Sequence, residues 1–367
     1  MEAALVFNKK KDFLQVLLGL IFVSFFSNIL VAQNNKTFTV GSIEAEQGEV
    51  AKGCLSIEKG IDEGTFIPIT IINGAKSGPV LTLVAGIHGT EYVPIITAQK
   101  LVKEITPEEL SGTLIIVHIA NIPAFSSRSD YSSPIDYKNL NRIFPGKIDG
   151  TVSERIAFIL SNEIMSKSDY YIDMHGGEFN ERIIDYLYFY YGCPDGDLCK
   201  KSYQLAHAMG NKYLFPDKYN SVPDSLPSGY SDLEAFRRGV ASITLEWGDQ
   251  GAVKPEEIDK ALKGIKNVMK TIGMLEGKPF INENPVYLIN EKLVSSNYDG
   301  ILFTFVDRAQ YITKGTLIGY TTDYWGNVLE EYHSPISGIV VVVKICPSIN
   351  KGESVFRIAE PVDEYKE

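Results

Sequence analysis

Two histidines and three carboxylates stand where apolar runs of this chain end. His88 and Glu91 follow the run in LVAGIHGTE, Asp173 and His175 close YYIDMHG, and Glu246 closes ASITLEWG. A His-x-x-Glu loop can turn an imidazole nitrogen and a carboxylate toward one cation. That spacing also arises by chance, and taken alone it is better explained by a hydrogen-bonded pair capping the next helix. His175, 84 residues beyond Glu91, changes the odds. Two imidazoles and one carboxylate form a catalytic zinc set with one position open to water. Asp173 is spaced to orient the His175 ring. Glu246 stands outside the set, as a carboxylate able to take the water proton and pass it to a leaving amine.

Between these lies NIPAFSSRSDYSSPIDYKNLNRIFPG, residues 121–146, a loop too polar and proline-rich for a core. It carries Arg128, Asn141 and Arg142. A guanidinium near a metal stabilises a tetrahedral oxyanion. Another grips a substrate carboxylate through two parallel hydrogen bonds. Taken singly, each of the three reads as a solvated loop residue.

The elements that must position these groups are legible as well. Apolar, β-branched runs recur at residues 80–86, 113–121, 170–176, 186–191 and 241–248, as expected of strands buried on both faces. Helix-like stretches lie between them. YVPIITAQKLVKEI follows the first run, and TVSERIAFILSNEIMSK opens with Thr151 and Glu154 at capping-box spacing. LCKKSYQLAHAMGNKY follows the fourth run, and PEEIDKALKGIKNVMKTIGML begins with Pro255 at a first helical position. Strands alternating with helices indicate an α/β sheet covered on both faces. After about Pro285 helical periodicity gives way to short strands between glycine turns, the mark of a small all-β domain. The expected division is residues 33–284 for the α/β domain and 285–367 for the β-domain.

Residues 1–32 differ in kind. Lys9, Lys10 and Lys11 precede the apolar run FLQVLLGLIFVSFF, and Ala32 precedes a polar stretch, the pattern of a secretory signal cleaved after Ala32. The expected location is therefore periplasmic or extracellular. An uncleaved anchor over residues 13–32, long enough to span a bilayer, is the competing reading. Without residues 1–32 there remain 32 basic and 44 acidic residues, a net charge of −12, which argues against nucleic acid as a partner. The cysteines are Cys54, Cys193, Cys199 and Cys346, none in a Cys-x-x-Cys pair, so a cysteine zinc site is not expected. Cys193 and Cys199 can close a small disulfide loop or stay as thiols. His118, His207 and His333 read as structural, Arg237 and Arg238 as a solvated pair, and the aromatics of YLYFYY as strand core.

The motifs GIHGTE, NIPAFSSR, NLNRIFPG, DMHGG and TLEWG, in that order, resemble the signatures of the succinylglutamate desuccinylase/aspartoacylase family, over about residues 41–362. The resemblance implies a zinc carboxypeptidase-like mixed sheet with helices on both faces, followed by a small barrel-sandwich-like β-domain. It implies one zinc per chain on His88, Glu91 and His175, with Glu246 as general base and then acid. Arg128 would polarise the scissile carbonyl, Asn141 and Arg142 would bind a substrate carboxylate, and Asp173 would orient His175. The implied activity is hydrolysis of an N-acylated amino acid or similar small carboxylate-bearing amide. A metallocarboxypeptidase acting on short cell-wall peptides uses the same groups. An esterase or a non-catalytic binding protein would also be consistent with these residues, and a homo-oligomer is compatible with each of these functions. The β-domain pattern GTLIGYTTD…SPISGIVVVV resembles lipoyl and biotinyl carriers, yet its turn SPISG has no lysine to carry a group, so a structural domain at the cleft rim or a subunit contact is expected. The export signal and the segment YYGCPDGDLCKK depart from the family pattern and put its named substrates, N-acetylaspartate and N-succinylglutamate, in question.

Overall fold

Side-chain alternation along the central strands decides where the helices lie. In the strand Lys76–Ala85, Leu81, Leu83 and Ala85 enter one buried cluster while Val84 enters a second on the opposite face. The strands Ser111–Val117, Tyr170–His175 and Ala241–Glu246 keep this two-residue period. Leu114, Ile116, Ile172, Met174, Ile243 and Leu245 join the first cluster, and Ile115, Val117 and Tyr171 join the second. Both faces therefore need cover. The helices Tyr92–Glu104, Gly196–Met209 and Pro255–Thr271 supply it on the first face, and Val152–Ile159 and Ser231–Arg237 on the second.

This computed structural model describes residues 36–194, 196–219 and 226–365, so the expected signal at 1–32 lies outside the described residues. Among the described residues no helix is long and apolar enough to cross a membrane. Everything below belongs to one compact unit, Thr37–Glu367.

The sheet is mixed. From one edge it runs Glu49–Ile57, Thr65–Asn73, Ser111–Val117, Lys76–Ala85, Tyr170–His175, Ala241–Glu246, Tyr186–Tyr191, Tyr213–Lys218. The middle four of these are mutually parallel, and Tyr186–Tyr191 runs antiparallel to Ala241–Glu246. The parallel register sets Ala85 beside Met174 and His175 beside Glu246, so the loops that follow open at one edge, where ligands bind in open α/β sheets.

Local signals held where they were strong. The Thr151 N–H donates to Glu154 at 2.9 Å, and Pro255 is the first helical residue. The stretch expected as one helix over 151–167 is helical to Ile159, then takes a π turn over Leu160–Ile164 and a 3-10 turn over Met165–Lys167. Sequence reasoning passed over Tyr213–Lys218, whose Pro216 interrupts the apolar pattern, and the outer strand Glu49–Ile57, mostly exposed along its length.

The chain after Pro285 is all β, as expected, yet it does not stand apart from the sheet. Val286–Ser295 pairs in parallel with Tyr213–Lys218 and antiparallel with Ser354–Val362, which in turn pairs with Gly338–Lys344. Tyr311–Ile312 adds to Gly338–Lys344, and the other four strands form a separate sheet in the order Val328–His333, Leu317–Thr322, Gly300–Thr304, Ser348–Ile349. Residues 284/285 thus mark a change of composition within a continuous sheet.

Candidate metal centre

The GIHGTE loop leaves its strand through Gly86, at φ +69°, where a Cβ would stand 3.0 Å from the Ile119 Cα. Only glycine takes that turn without strain. The loop ends at Glu91, the N-cap position of the helix Tyr92–Glu104, but the Glu91 carboxylate makes no capping bond to the helix. That removes the helix-capping explanation for the His-x-x-Glu spacing. Glu91 instead faces two imidazoles. Its Oε1 lies 2.8 Å from His88 Nδ1, and its Oε2 lies 3.0 Å from His175 Nδ1. One ligand atom from each of the three residues falls within 4.8 Å of the others, and all three side chains are buried.

The outer nitrogens explain this orientation. His88 Nε2 is 3.2 Å from Asn139 Oδ1, which also accepts the Asn141 N–H at 2.8 Å. His175 Nε2 lies 3.1 Å from Asp173 Oδ2, with Asn141 Nδ2 at 3.2 Å. A proton on each Nε2, facing these oxygens, leaves both Nδ1 lone pairs aimed at the point Glu91 faces. Nitrogen, carboxylate oxygen and nitrogen converging in a buried pocket form a donor set that fits zinc.

Charge coupling within the cluster is strong. Burial would raise Glu91, but the charges of His175 and His88 overcome it and hold the carboxyl down at about 2. Burial would lower His175, but Asp173 and Glu91 hold it well above the usual histidine value. Glu178 has no exposed surface, and its Oε1 is 3.6 Å from His88 Nδ1. Its two oxygens have no hydrogen-bond partner, and burial, with the Glu91 charge beside it, pushes its carboxyl well up.

Glu246 arrives by register. Parallel pairing sets it beside His175 and sets Thr244 beside Asp173, so alternation puts all four on one face. Burial pushes the Glu246 carboxyl up to about 8, against the lowering charge of His175. Antiparallel pairing then places Tyr186 opposite Glu246 and Tyr188 opposite Thr244. These groups line a cavity of about 800 Å³ that also contains the candidate ligands. Arg357, from the strand Ser354–Val362, donates to the Tyr186 and Tyr188 hydroxyls at 3.1 and 2.8 Å and pairs with Glu291 at 3.1 Å. On another wall, Asp232 accepts the Tyr190 hydroxyl at 2.8 Å.

The structure therefore brings together His88, Glu91, Asp173, His175, Asn141, Arg142 and Glu246. It does not bring Arg128. That residue ends the short helix Ile122–Ser127 at φ 54°, is exposed, and is absent from the cavity lining. Arg142 lines the cavity, 4.6 Å over the Tyr230 ring, with Nη1 donating to the Asn141 carbonyl at 2.6 Å. The Asn141 amide oxygen, expected to meet substrate, accepts the Ser231 N–H at 2.8 Å.

Sequence reasoning missed Asn139, Glu178, Arg357 and the tyrosines. The alternation Tyr186-x-Tyr188-x-Tyr190 was the available signal, because Leu187 and Phe189 take the core side while the tyrosines face the cavity. The YLYFYY run, expected as core alone, is thus core on one face and cavity wall on the other. No local pattern marks Arg357. His118 bonds to Thr70, His207 to the Asn282 carbonyl, and His333 is exposed on a C-terminal strand, so none lines the cavity. Cys193 and Cys199 form a disulfide, and Cys54 and Cys346 are free.

Comparison with known proteins follows this geometry. Residues 77–272 match the model of the succinylglutamate desuccinylase/aspartoacylase catalytic domain. The chain is 29% identical over 332 residues to N-alpha-acetyl-L-2,4-diaminobutyric acid deacetylase of Halomonas elongata, covering 88% of this chain and 95% of that protein. The product-bound ectoine utilization protein EutE (DoeB) of Ruegeria pomeroyi superposes with a TM-score of 0.77 at 26% identity, covering 89% of this chain and 100% of that one. An aspartoacylase family protein of Mesorhizobium loti gives 0.71 at 25% identity, covering 89% and 96%.

Proposed function

The chain belongs to the succinylglutamate desuccinylase/aspartoacylase family, and on that premise we propose that it is a zinc-dependent hydrolase cleaving the amide of an N-acylated amino acid. The observation that carries this reading is the buried convergence of His88, Glu91 and His175 beside Glu246 at one sheet edge. The mixed sheet with its site at that edge supports the zinc carboxypeptidase-like arrangement. His88 Nδ1, Glu91 and His175 Nδ1 would hold one zinc ion. Bound there, zinc supplies Lewis acidity toward water and the scissile carbonyl.

The chain's own groups do the rest. Asn139 and Asp173 hold the imidazole orientations. Glu246 takes a proton from the attacking water on its carboxylate and delivers it to the leaving amine nitrogen. The cation would draw the Glu246 carboxyl down from its value in the metal-free site, toward the ionised form a base needs. Arg142, at the cavity wall, would hold the substrate carboxylate, and Arg357 would offer a second guanidinium.

Asp232 narrows the substrate class. It lines the cavity, is 7% exposed, and among the described residues has no cationic side chain in ion-pair range. The substrate named for the Halomonas relative is an acylated diamino acid, whose second amine would suit such a carboxylate. An exported location rests on residues 1–32 and is supported by the Cys193–Cys199 bond, of a kind that persists in oxidising compartments.

The test is hydrolysis by zinc-loaded protein of a panel of N-acyl amino acids, N-acyl diamino acids and short peptides, read by mass spectrometry. Glu246→Gln should keep the metal and lose roughly 10²–10⁴-fold in turnover, the range typical of a general acid–base. Full turnover in that variant, or no hydrolysis of any panel member with stoichiometric zinc bound, would overturn the reading.

A further inference from the structure

The opposite side of the sheet carries a second cavity, of about 970 Å³, lined by the helix Pro255–Thr271, the end of the helix Gly196–Met209 and Trp247. Its charge runs against that of the chain. Lys212, Lys260, Lys263, Lys270, Lys278 and Arg308 line it against two carboxylates, Asp185 and Glu257, in a protein of net charge −11. Lys260 pairs with Asp185 at 3.4 Å, and Arg308 pairs with Asp249 at 3.2 Å. Among the described residues no carboxylate lies in ion-pair range of Lys212, Lys263, Lys270 or Lys278.

A solvated lysine face of an amphipathic helix would account for Lys260, Lys263 and Lys270 alone. It does not account for the cavity wall. Asn211 is 4% exposed with both side-chain amide atoms unpartnered, and Trp247 is 5% exposed with its Nε1 unpartnered. Both line the same cavity. A buried polar group without a partner is costly, and such groups are commonly satisfied by a ligand or ordered water. Four lysines without a carboxylate partner, Lys212 among them with its ammonium 4.8 Å over the Tyr213 ring, share this lining with unsatisfied amide and indole groups, a combination suited to an anion.

We propose that this cavity is a binding site for a small molecule with two or more anionic groups, carboxylate or phosphate, separate from the catalytic centre. Its position gives it a route to that centre. The Trp247 N–H donates to the His175 carbonyl at 2.9 Å, and Trp247 directly follows Glu246. Gly176, next to His175, packs so closely that a Cβ would stand 2.0 Å from the Trp247 carbonyl oxygen. A ligand seated against the Trp247 ring therefore touches the residue whose backbone holds a metal ligand.

The chain has two tryptophans, and Trp325 is 85% exposed on a turn outside this cavity's lining, so Trp325→Phe leaves Trp247 as the sole indole reporter. Titration of that otherwise intact protein with propane-1,3-disulfonate, a dianion that does not strip metal, should change Trp247 emission saturably with one site per chain. Adding Lys263→Glu and Lys270→Glu should weaken the affinity at least tenfold while circular dichroism and bound zinc stay the same. Emission that does not saturate, or an affinity unchanged by the two substitutions, would overturn the proposal. If the glutamate variants fail to fold, Lys263→Gln with Lys270→Gln replaces them, with the expected loss about threefold or more.

Discussion

Replacing Asp232 by Asn should stabilise the protein, and the size of the gain follows from the burial of its carboxylate. Burial, with the Asp173 charge nearby, pushes the Asp232 carboxyl up to about 6 from an ordinary 3.8, against the lowering effect of the Tyr190 hydrogen bond. The folded protein therefore holds that proton more tightly than the unfolded chain does. Below pH 3.8 both states are protonated and the group costs nothing. Stability is lost as pH rises from there, and the loss is complete above about pH 6. At 1.36 kcal/mol per pH unit between those two values, the full cost is about 3 kcal/mol. An Asn at this position keeps an oxygen to accept the Tyr190 hydroxyl and carries no charge. Urea unfolding of the chelated protein and of Asp232→Asn, at pH 4 and at pH 7.5, reads the difference. The variant should gain about 3 kcal/mol at pH 7.5 and well under 1 at pH 4. An equal gain at both pH values, or none at pH 7.5, would refute the electrostatic account. A charge kept at such a cost within a catalytic cavity is expected to serve function, so the same variant should bind an amine-bearing substrate more weakly.

Other expectations concern the metal and the crosslink. His175→Ala should abolish bound zinc measured by atomic absorption, and stoichiometric zinc in that variant would exclude it as a ligand. Asp173→Asn should keep the fold and weaken zinc affinity by roughly 10–100-fold, read by competition with a chelating dye; an unchanged affinity would mean that Asp173 does not orient His175. Cys193→Ser opens a loop with a sequence separation of 6 and should cost about 2 kcal/mol in urea unfolding, so identical midpoints would show that the crosslink is energetically silent.

Much of the centre was readable along the chain because its information is local. A polar residue at the end of a buried apolar run needs a reason, and His88, Glu91, Asp173, His175 and Glu246 each stood at such an end. The apolar runs likewise marked the buried strands, although not which face of YLYFYY would line the cavity. The tertiary structure decided which polar ends meet. Parallel pairing of Tyr170–His175 with Ala241–Glu246, and the convergence of Asn139 and Asn141 on the histidines, depend on contacts 34 to 84 residues apart along the chain. Arg357 enters the cavity only because a C-terminal strand extends the central sheet, a pairing that no local pattern encodes. Glu178, two glycines beyond His175, carries no local signal in the sequence, and only the fold buries it without a hydrogen-bond partner. Residue type and period thus determine what each segment can do, whereas register and burial, set by the packing of distant segments, determine which groups act together and at what protonation state.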